Sequence, residues 1–295
     1  MTPWRSPPTV RRVNPIRLAF SPDSDDLFMF WPLLHGKVDV GDLSFSHERE
    51  DTETLNARAE RGDVDVIAVS IARYATIAKD WLLLPHGASI GRGYGPVVVA
   101  KEAALLESFR GKRIGVPGLR TTAYVTLRLL LPEFEAVVIP IQPYARVFEA
   151  LRAKEVDAAL LIHEGRLTFE REGFTKVCDV GEGWGKLTGL PLPLGGNAIR
   201  RALGPELVKR VSNACGRSIA WALAHRDEVM NALLAEETRA DVKLDRGMLD
   251  RYLAMYANED TRSTPEDARR AVGELFRRAR EARILDGVVE PEFAP

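Results

Sequence analysis

The sequence predicts an α/β protein, on three observations. Short apolar runs alternate with amphipathic stretches from residue 16 to about residue 200. That alternation falls into two blocks, and strand–helix alternation of this kind indicates parallel sheets covered by helices. From about Gly204 the texture changes to a run of segments with apolar residues every three to four positions, the spacing of amphipathic helices.

The elements follow in order. "IRLAF" (16–20) reads as a buried strand. "SPDSDD" (21–26) is a loop with helix-start chemistry, in which Asp25 and Asp26 suit the first turn of a helix through its dipole. "LFMFWPLL" continues that helix, and Pro32 should kink or end it. "LSFSHERED" is a second extended piece. "DTETLNARAERG" is a capped helix, with Asp51 as cap, Leu55 and Ala59 on one face and Gly62 as the stop. "VDVIAVS" is a strand and "ARYATIAKD" a helix, and "WLLLPHGASI" and "GPVVVAK" are further strands.

The second block repeats the theme. "KRIGVPG", "AVVIPI", "VDAALLI" and "TKVCDVG" are strands, separated by the helices "TTAYVTLRLLL", "YARVFEALRAKE" and "GRLTFEREG". "GLPLPLGGNAIRR" is an extended passage framed by glycines. The tail holds the helical segments 205–225, 227–237, 245–258 and 265–281.

Bulk properties remove several function classes. Acidic and basic residues nearly cancel at a net charge of −1, so neither nucleic acid nor an anionic membrane is indicated as a main partner. No segment reaches the ~18 apolar residues of a membrane span. The first fifteen residues lack the apolar core of a secretory signal, which with two unpatterned cysteines, Cys178 and Cys215, points to the cytoplasm. Their prolines and arginines suggest a flexible extension. The five histidines show no metal-ligand spacing, and P-loop, GxSxG and HExxH motifs are absent. "SPDSDD" fails as an EF-hand, because loop positions 6 and 12 counted from Asp23 are Phe28 and Leu34. "GRGYGP" leads into a strand and so is not a dinucleotide fingerprint. Neither metal nor cofactor is expected.

Ligands of open α/β sheets bind beyond the carboxyl ends of the strands. That rule selects Ser21 after the first strand, Ser70 after "DVIAV", "PGLRTTAY" after "RIGV", and His163 after "DAALLI". An imidazole with a pKa near ~6.5 can take a proton at neutral pH. A buried histidine bonded to backbone is the plainer alternative. Glu164 can orient the ring, or favour the N-terminus of the helix that follows it. Thr121 or Thr122 can cap the next helix, and the same geometry leaves N–H groups and a hydroxyl to hold a carboxylate or phosphate.

"SPDSDDLFMF" with "HGKV", "DTETLN", "GRGYGPVVVA", "PGLRTTAY", "IHEGRLTFEREG" and "TGLPLPLGG", in this order over about residues 16–280, resemble the 1,4-dihydroxy-6-naphthoate synthase family of the futalosine route to menaquinone. The resemblance implies a type II periplasmic-binding-protein fold of two α/β lobes facing a cleft. Lobe one would comprise 16–99 and 199–295, with the helical tail packed on it, and lobe two 100–198. It also implies a cofactor-free lyase converting cyclic dehypoxanthine futalosine to 1,4-dihydroxy-6-naphthoate. His163 would be its base. Ala68, Val69, Ser70, Thr122 and Ala123 match the family's substrate-contacting positions, and the threonine and helix-start amides would hold the substrate carboxylate. Members carry SPCPND where this chain has SPDSDD, and some have Lys where Ala68 stands. Asp25 or Asp26 then replaces an amide donor by an acceptor, and a shifted substrate is one consequence. Two rivals share the fold: a chorismate dehydratase of the same pathway, and a solute-binding protein without catalysis. Oligomeric state is not legible.

Overall fold

The computed structural model describes residues 14–141, 143–236, 245–286 and 290–295. Residues 1–13, most of the expected N-terminal extension, lie outside the described residues.

Two sheets carry the fold. The first contains β1 (Ile16–Phe20), β2 (Phe45–Arg49), β3 (Val66–Ser70), β4 (Trp81–Leu83) and β5 (Ser89–Gly91). The second contains β6 (Val97–Ala100), β7 (Arg113–Val116), β8 (Glu135–Val138), β9 (Ala158–Leu161) and β10 (Thr175–Asp179). The long β11 (Leu192–Arg200) returns to the first sheet. The strand orders are β2-β1-β3-β11-β4, with β5 also on β11, and β10-β6-β9-β7-β8.

The expectation of parallel sheets is corrected here. β1 runs parallel to β2 and β3, and β7 to β8 and β9, as strand–helix–strand units require. β11 is antiparallel to β3, β4 and β5, and β6 is antiparallel to β9 and β10. β6 and β11 are the strands by which the chain enters one sheet from the other. β6 follows β5 with no helix between them and β11 follows the helix Val180–Thr188, and neither strand closes a strand–helix–strand unit within its own sheet.

Three helices begin at the strand ends that matter. α1 (Ser24–Leu34) follows β1, α2 (Thr52–Arg58) follows β2, and α3 (Ile71–Ile77) follows β3 directly. Pro32 does not end α1, which runs two residues further. In the second half come α4 (Thr122–Leu130), α5 (Ala145–Arg152) and α6 (Gly165–Thr168), the last shorter than the helix expected there. α7 (Val180–Thr188) had no counterpart in the sequence reading. The tail supplies α8 (Pro205–Ala224), α9 (Arg226–Ala235), α10 (Arg246–Tyr256), α11 (Glu259–Arg262) and α12 (Glu266–Glu281).

Asp51 caps α2 as its sequence position suggested, accepting from the N–H groups of Glu53 and Thr54. Asp179 does the same for α7 through Gly181 and Glu182. The fully buried Phe20, Phe28 and Phe30 join β1 to α1, and α8, α9 and α10 pack on α1. Trp81, Tyr74 and Trp184 anchor the second apolar cluster, which runs on into the other sheet. α12 lies against β11, α3 and α4, so the tail braces the region between the sheets. Cys178 and Cys215 are free thiols, and burial pushes both up to about 12.

Candidate active site

The strand ends of both sheets meet at one cleft of about 750 Å³. Ser21, Ala68, Val69, Ser70, Thr121, Thr122, Ala123 and His163 all line it. Its walls are largely small or apolar, with Leu55, Ile162, Leu194, Gly195 and Gly196 among them.

His163 stands two residues beyond β9 with φ at 49°, a left-handed conformation uncommon for a residue other than glycine. The turn is held from α5's entrance, where the Tyr144 hydroxyl donates to the Ile162 carbonyl. Gly165 is required beside it, since a Cβ there would lie 2.4 Å from the Tyr144 ring. The "HEG" of the sequence is therefore a backbone device that turns the histidine into the cleft.

Both ring nitrogens have partners from the other half of the molecule. Nδ1 lies 3.2 Å from Asp23 Oδ2 and 3.4 Å from the Tyr252 hydroxyl. Nε2 lies 3.1 Å from Thr52 Oγ1. The Tyr252 O–H donates to Asp25 Oδ1 at 3.1 Å, which leaves its oxygen to accept from Nδ1–H. Asp23 is fully buried in the loop before α1 and is not part of the cleft lining.

The two other aspartates of that loop and helix do face the cleft. Asp25 accepts from Tyr252 and, through Oδ2, from the Ser89 hydroxyl at 2.9 Å. Asp26 Oδ2 accepts from the Ser21 N–H at 2.8 Å. Both stand in the first turn of α1, as expected from the dipole. Burial raises both carboxyls; His163 pulls Asp25 back down, while Asp25 pushes Asp26 further up. Burial also raises the Tyr252 phenol well above its usual range.

Glu164 does not serve the helix it precedes. Its fully buried carboxylate reaches across the cleft, where Oε1 accepts from the Ser24 N–H at 3.2 Å and the Ser24 hydroxyl at 2.9 Å. It satisfies the first turn of α1 instead, whose Asp23 cap residue makes no side-chain cap bond.

The threonines divide their work. Thr121 caps α4, accepting from Tyr124 N–H while its own proton goes to the Gly118 carbonyl. Thr122 Oγ1 accepts from Ala72 N–H at 3.0 Å and donates to the Leu194 carbonyl at 2.6 Å. Both threonine hydroxyl protons thus go to protein carbonyls. The α4 amides of Thr122 and Ala123 have no acceptor within their own helix. Ser70 differs. Its N–H donates to Asn56 Oδ1 at 2.9 Å and its Oγ accepts from Asn56 Nδ2 at 3.0 Å, so its own proton is available.

The sequence reading missed Asp23, Thr52, Asn56 and Tyr252. Each acts through a partner distant in the chain. Among the described residues, no group of three or more His, Cys, Asp and Glu is arranged to hold a metal ion, and no helix is long and apolar enough to cross a membrane.

Comparisons with known proteins agree with this architecture. A family model described as menaquinone biosynthesis matches residues 16–281. A 1,4-dihydroxy-6-naphthoate synthase of Thermus thermophilus is 38% identical over 270 residues, covering 92% of this chain and 95% of that protein. The enzyme of the same name from Streptomyces coelicolor is 35% identical over 276 residues, covering 90% and 92%. A crystal structure from Archaeoglobus fulgidus superposes with a TM-score of 0.85 at 40% identity, over 93% of this chain and 100% of that one. An alkanesulfonate-binding protein of Xanthomonas axonopodis matches at a TM-score of 0.70 and 14% identity, over 95% and 97%, a likeness of fold alone. The architecture is that of the periplasmic binding proteins.

Proposed function

The chain belongs to the menaquinone biosynthesis family, and from that membership we infer that it is a 1,4-dihydroxy-6-naphthoate synthase. The reaction we propose is the lyase step that takes cyclic dehypoxanthine futalosine to 1,4-dihydroxy-6-naphthoate in the cytoplasm. The lobes of this reading are 16–99 with 199–295, and 100–198, with β6 and β11 lying across the two boundaries.

What supports the reading is the convergence of a base and an anion cradle in one cleft. With Nδ1–H facing Asp23 and Tyr252, the lone pair of His163 Nε2 faces Thr52 and the cleft. In this reading the Thr52 hydroxyl turns aside when substrate arrives, and Nε2 takes a proton from it. The bicycle then loses its sugar-derived carbons by carbon–carbon cleavage as it becomes aromatic. The substrate carboxylate sits on the amides of Thr122 and Ala123, at the positive end of α4, with the Ser70 hydroxyl as a further donor. Ala68 and Val69 provide the apolar wall beside it. Closing the cleft excludes water from the reacting carbons.

The test is turnover of cyclic dehypoxanthine futalosine by purified protein with no added metal or nucleotide, followed by absorbance and mass. A positioned general base contributes roughly 10²–10⁴-fold. His163→Ala is therefore expected to lose about 10²-fold or more in kcat while remaining folded. No product from folded wild type would overturn the synthase reading. Undiminished turnover by the variant would remove His163 from the role of base.

A further inference from the structure

We propose that Asp23 is a positioning residue for His163: it fixes the ring with the proton on Nδ1, so that Nε2 stands unprotonated toward the cleft. The inference rests on the synthase reading for its kinetic consequences, but not for the tautomer it assigns.

The geometry carries it. Asp23 Oδ2 is 3.2 Å from Nδ1 and the Tyr252 oxygen is 3.4 Å away, so the same nitrogen faces two acceptors. Because Tyr252 gives its own proton to Asp25, it can meet Nδ1 only as an acceptor. On the other side, Thr52 Oγ1 at 3.1 Å is a hydroxyl and can donate to a bare Nε2. All three contacts are satisfied together by the Nδ1–H tautomer. With the proton on Nε2 instead, Nδ1 would turn a lone pair on a buried carboxylate, which is repulsive.

Asp23 acts through the ring and not on the substrate. It is fully buried and absent from the cleft lining, whereas its neighbours Ser21, Asp25 and Asp26 are present. The polar contacts of the His163 ring come from the loop before α1, from α2 and from α10. The charged or titratable groups facing the ring are Asp23 and Asp25 from the first segment and Tyr252 from α10, with Glu164 adjacent in the chain. The nearest acid of α2, Glu53, is turned to Arg120.

A split between kcat and KM separates positioning from mere support. An Asn at position 23 can also donate to Nδ1 and admit the wrong tautomer. The comparable loss in a Ser-His-Asp triad is about 10⁴-fold. Tyr252 remains as a second acceptor here, so a smaller loss of roughly 10–10²-fold in the kcat plateau is expected, with KM little changed.

The first experiment is ¹⁵N NMR of the histidine rings in ligand-free wild type at alkaline pH, with His163→Gln for assignment. A protonated Nδ1 and a bare Nε2 are expected. The opposite pattern, or an even mixture, overturns the proposal without any folded variant of Asp23. The second is the steady-state kinetics of Asp23→Asn. A lowered kcat with KM little changed supports positioning, and wild-type kinetics in the folded variant refute it. Wild type that makes no product defeats the synthase reading alone, and the NMR result still decides the tautomer.

Discussion

Ser70→Ala is the substitution that best distinguishes a hydroxyl that serves ligand from one that serves the fold. Ser70 ends β3 at the start of α3 and makes no side-chain cap bond. Its oxygen accepts from Asn56 Nδ2 at 3.0 Å, and its proton is left for a ligand anion. A hydrogen bond to a charged group is worth about 1.5–3 kcal/mol. At 1.36 kcal/mol per decade, that is a rise of roughly 10- to 150-fold in KM for a contact made equally in ground and transition states. The kcat should stay near wild type. The same change leaves the buried Asn56 Nδ2 without its acceptor, which costs about 1–3 kcal/mol of stability. The Asn56 Oδ1 bond to the Ser70 N–H survives, because that donor is backbone. Steady-state kinetics with urea unfolding of both proteins separates the two effects. A stable, folded Ser70→Ala with KM within twofold of wild type would refute the assignment of this hydroxyl to the carboxylate.

Thr122→Val should do the reverse. The lost hydroxyl joins Ala72 N–H to the Leu194 carbonyl, so the expected cost is about 1–3 kcal/mol in urea unfolding with a smaller KM change than Ser70→Ala. Asp26→Asn should change the pH dependence of stability. The Asp26 carboxyl is raised in the folded state by burial and by Asp25, so its contribution is fully present below the unfolded value near ~3.9 and is lost as pH rises through the folded one. The melting-temperature difference between Asn variant and wild type should therefore move in the variant's favour from about pH 4 upward, and a pH-independent difference would contradict the raised carboxyl.

The site was legible where it depends on strand ends. Ser21, Ser70, the start of α4 and His163 each follow a strand, and one topological rule brings them to one cleft. α7 was illegible because Gly181, Gly183 and Gly185 weaken any helical signal. Two of those glycines are there for packing: a Cβ on Gly181 would lie 2.1 Å from the Tyr94 carbonyl, and one on Gly183 would lie 2.6 Å from Leu130. Local rules placed Asp25 and Asp26 correctly in a first turn but could not name Tyr252, a partner 227 residues away.

Glu164 shows the limit most clearly. Local rules offered it either the ring of His163 or its own short helix, and it serves α1 across the cleft instead. Yet one inference was open. If residues 21–26 and 163–164 face a common cleft, then Asp23, Asp25, Asp26 and Glu164 converge on a single histidine and an anionic substrate. Four carboxylates cannot share that space fully charged and unpartnered. Burial raises Asp25 and Asp26, Glu164 accepts from the Ser24 N–H and hydroxyl at the start of α1, and Asp23 lies 3.2 Å from the imidazole Nδ1. Counting charges across strand ends that the topology brings together would thus have pointed to a histidine–carboxylate pair, though not to which carboxylate.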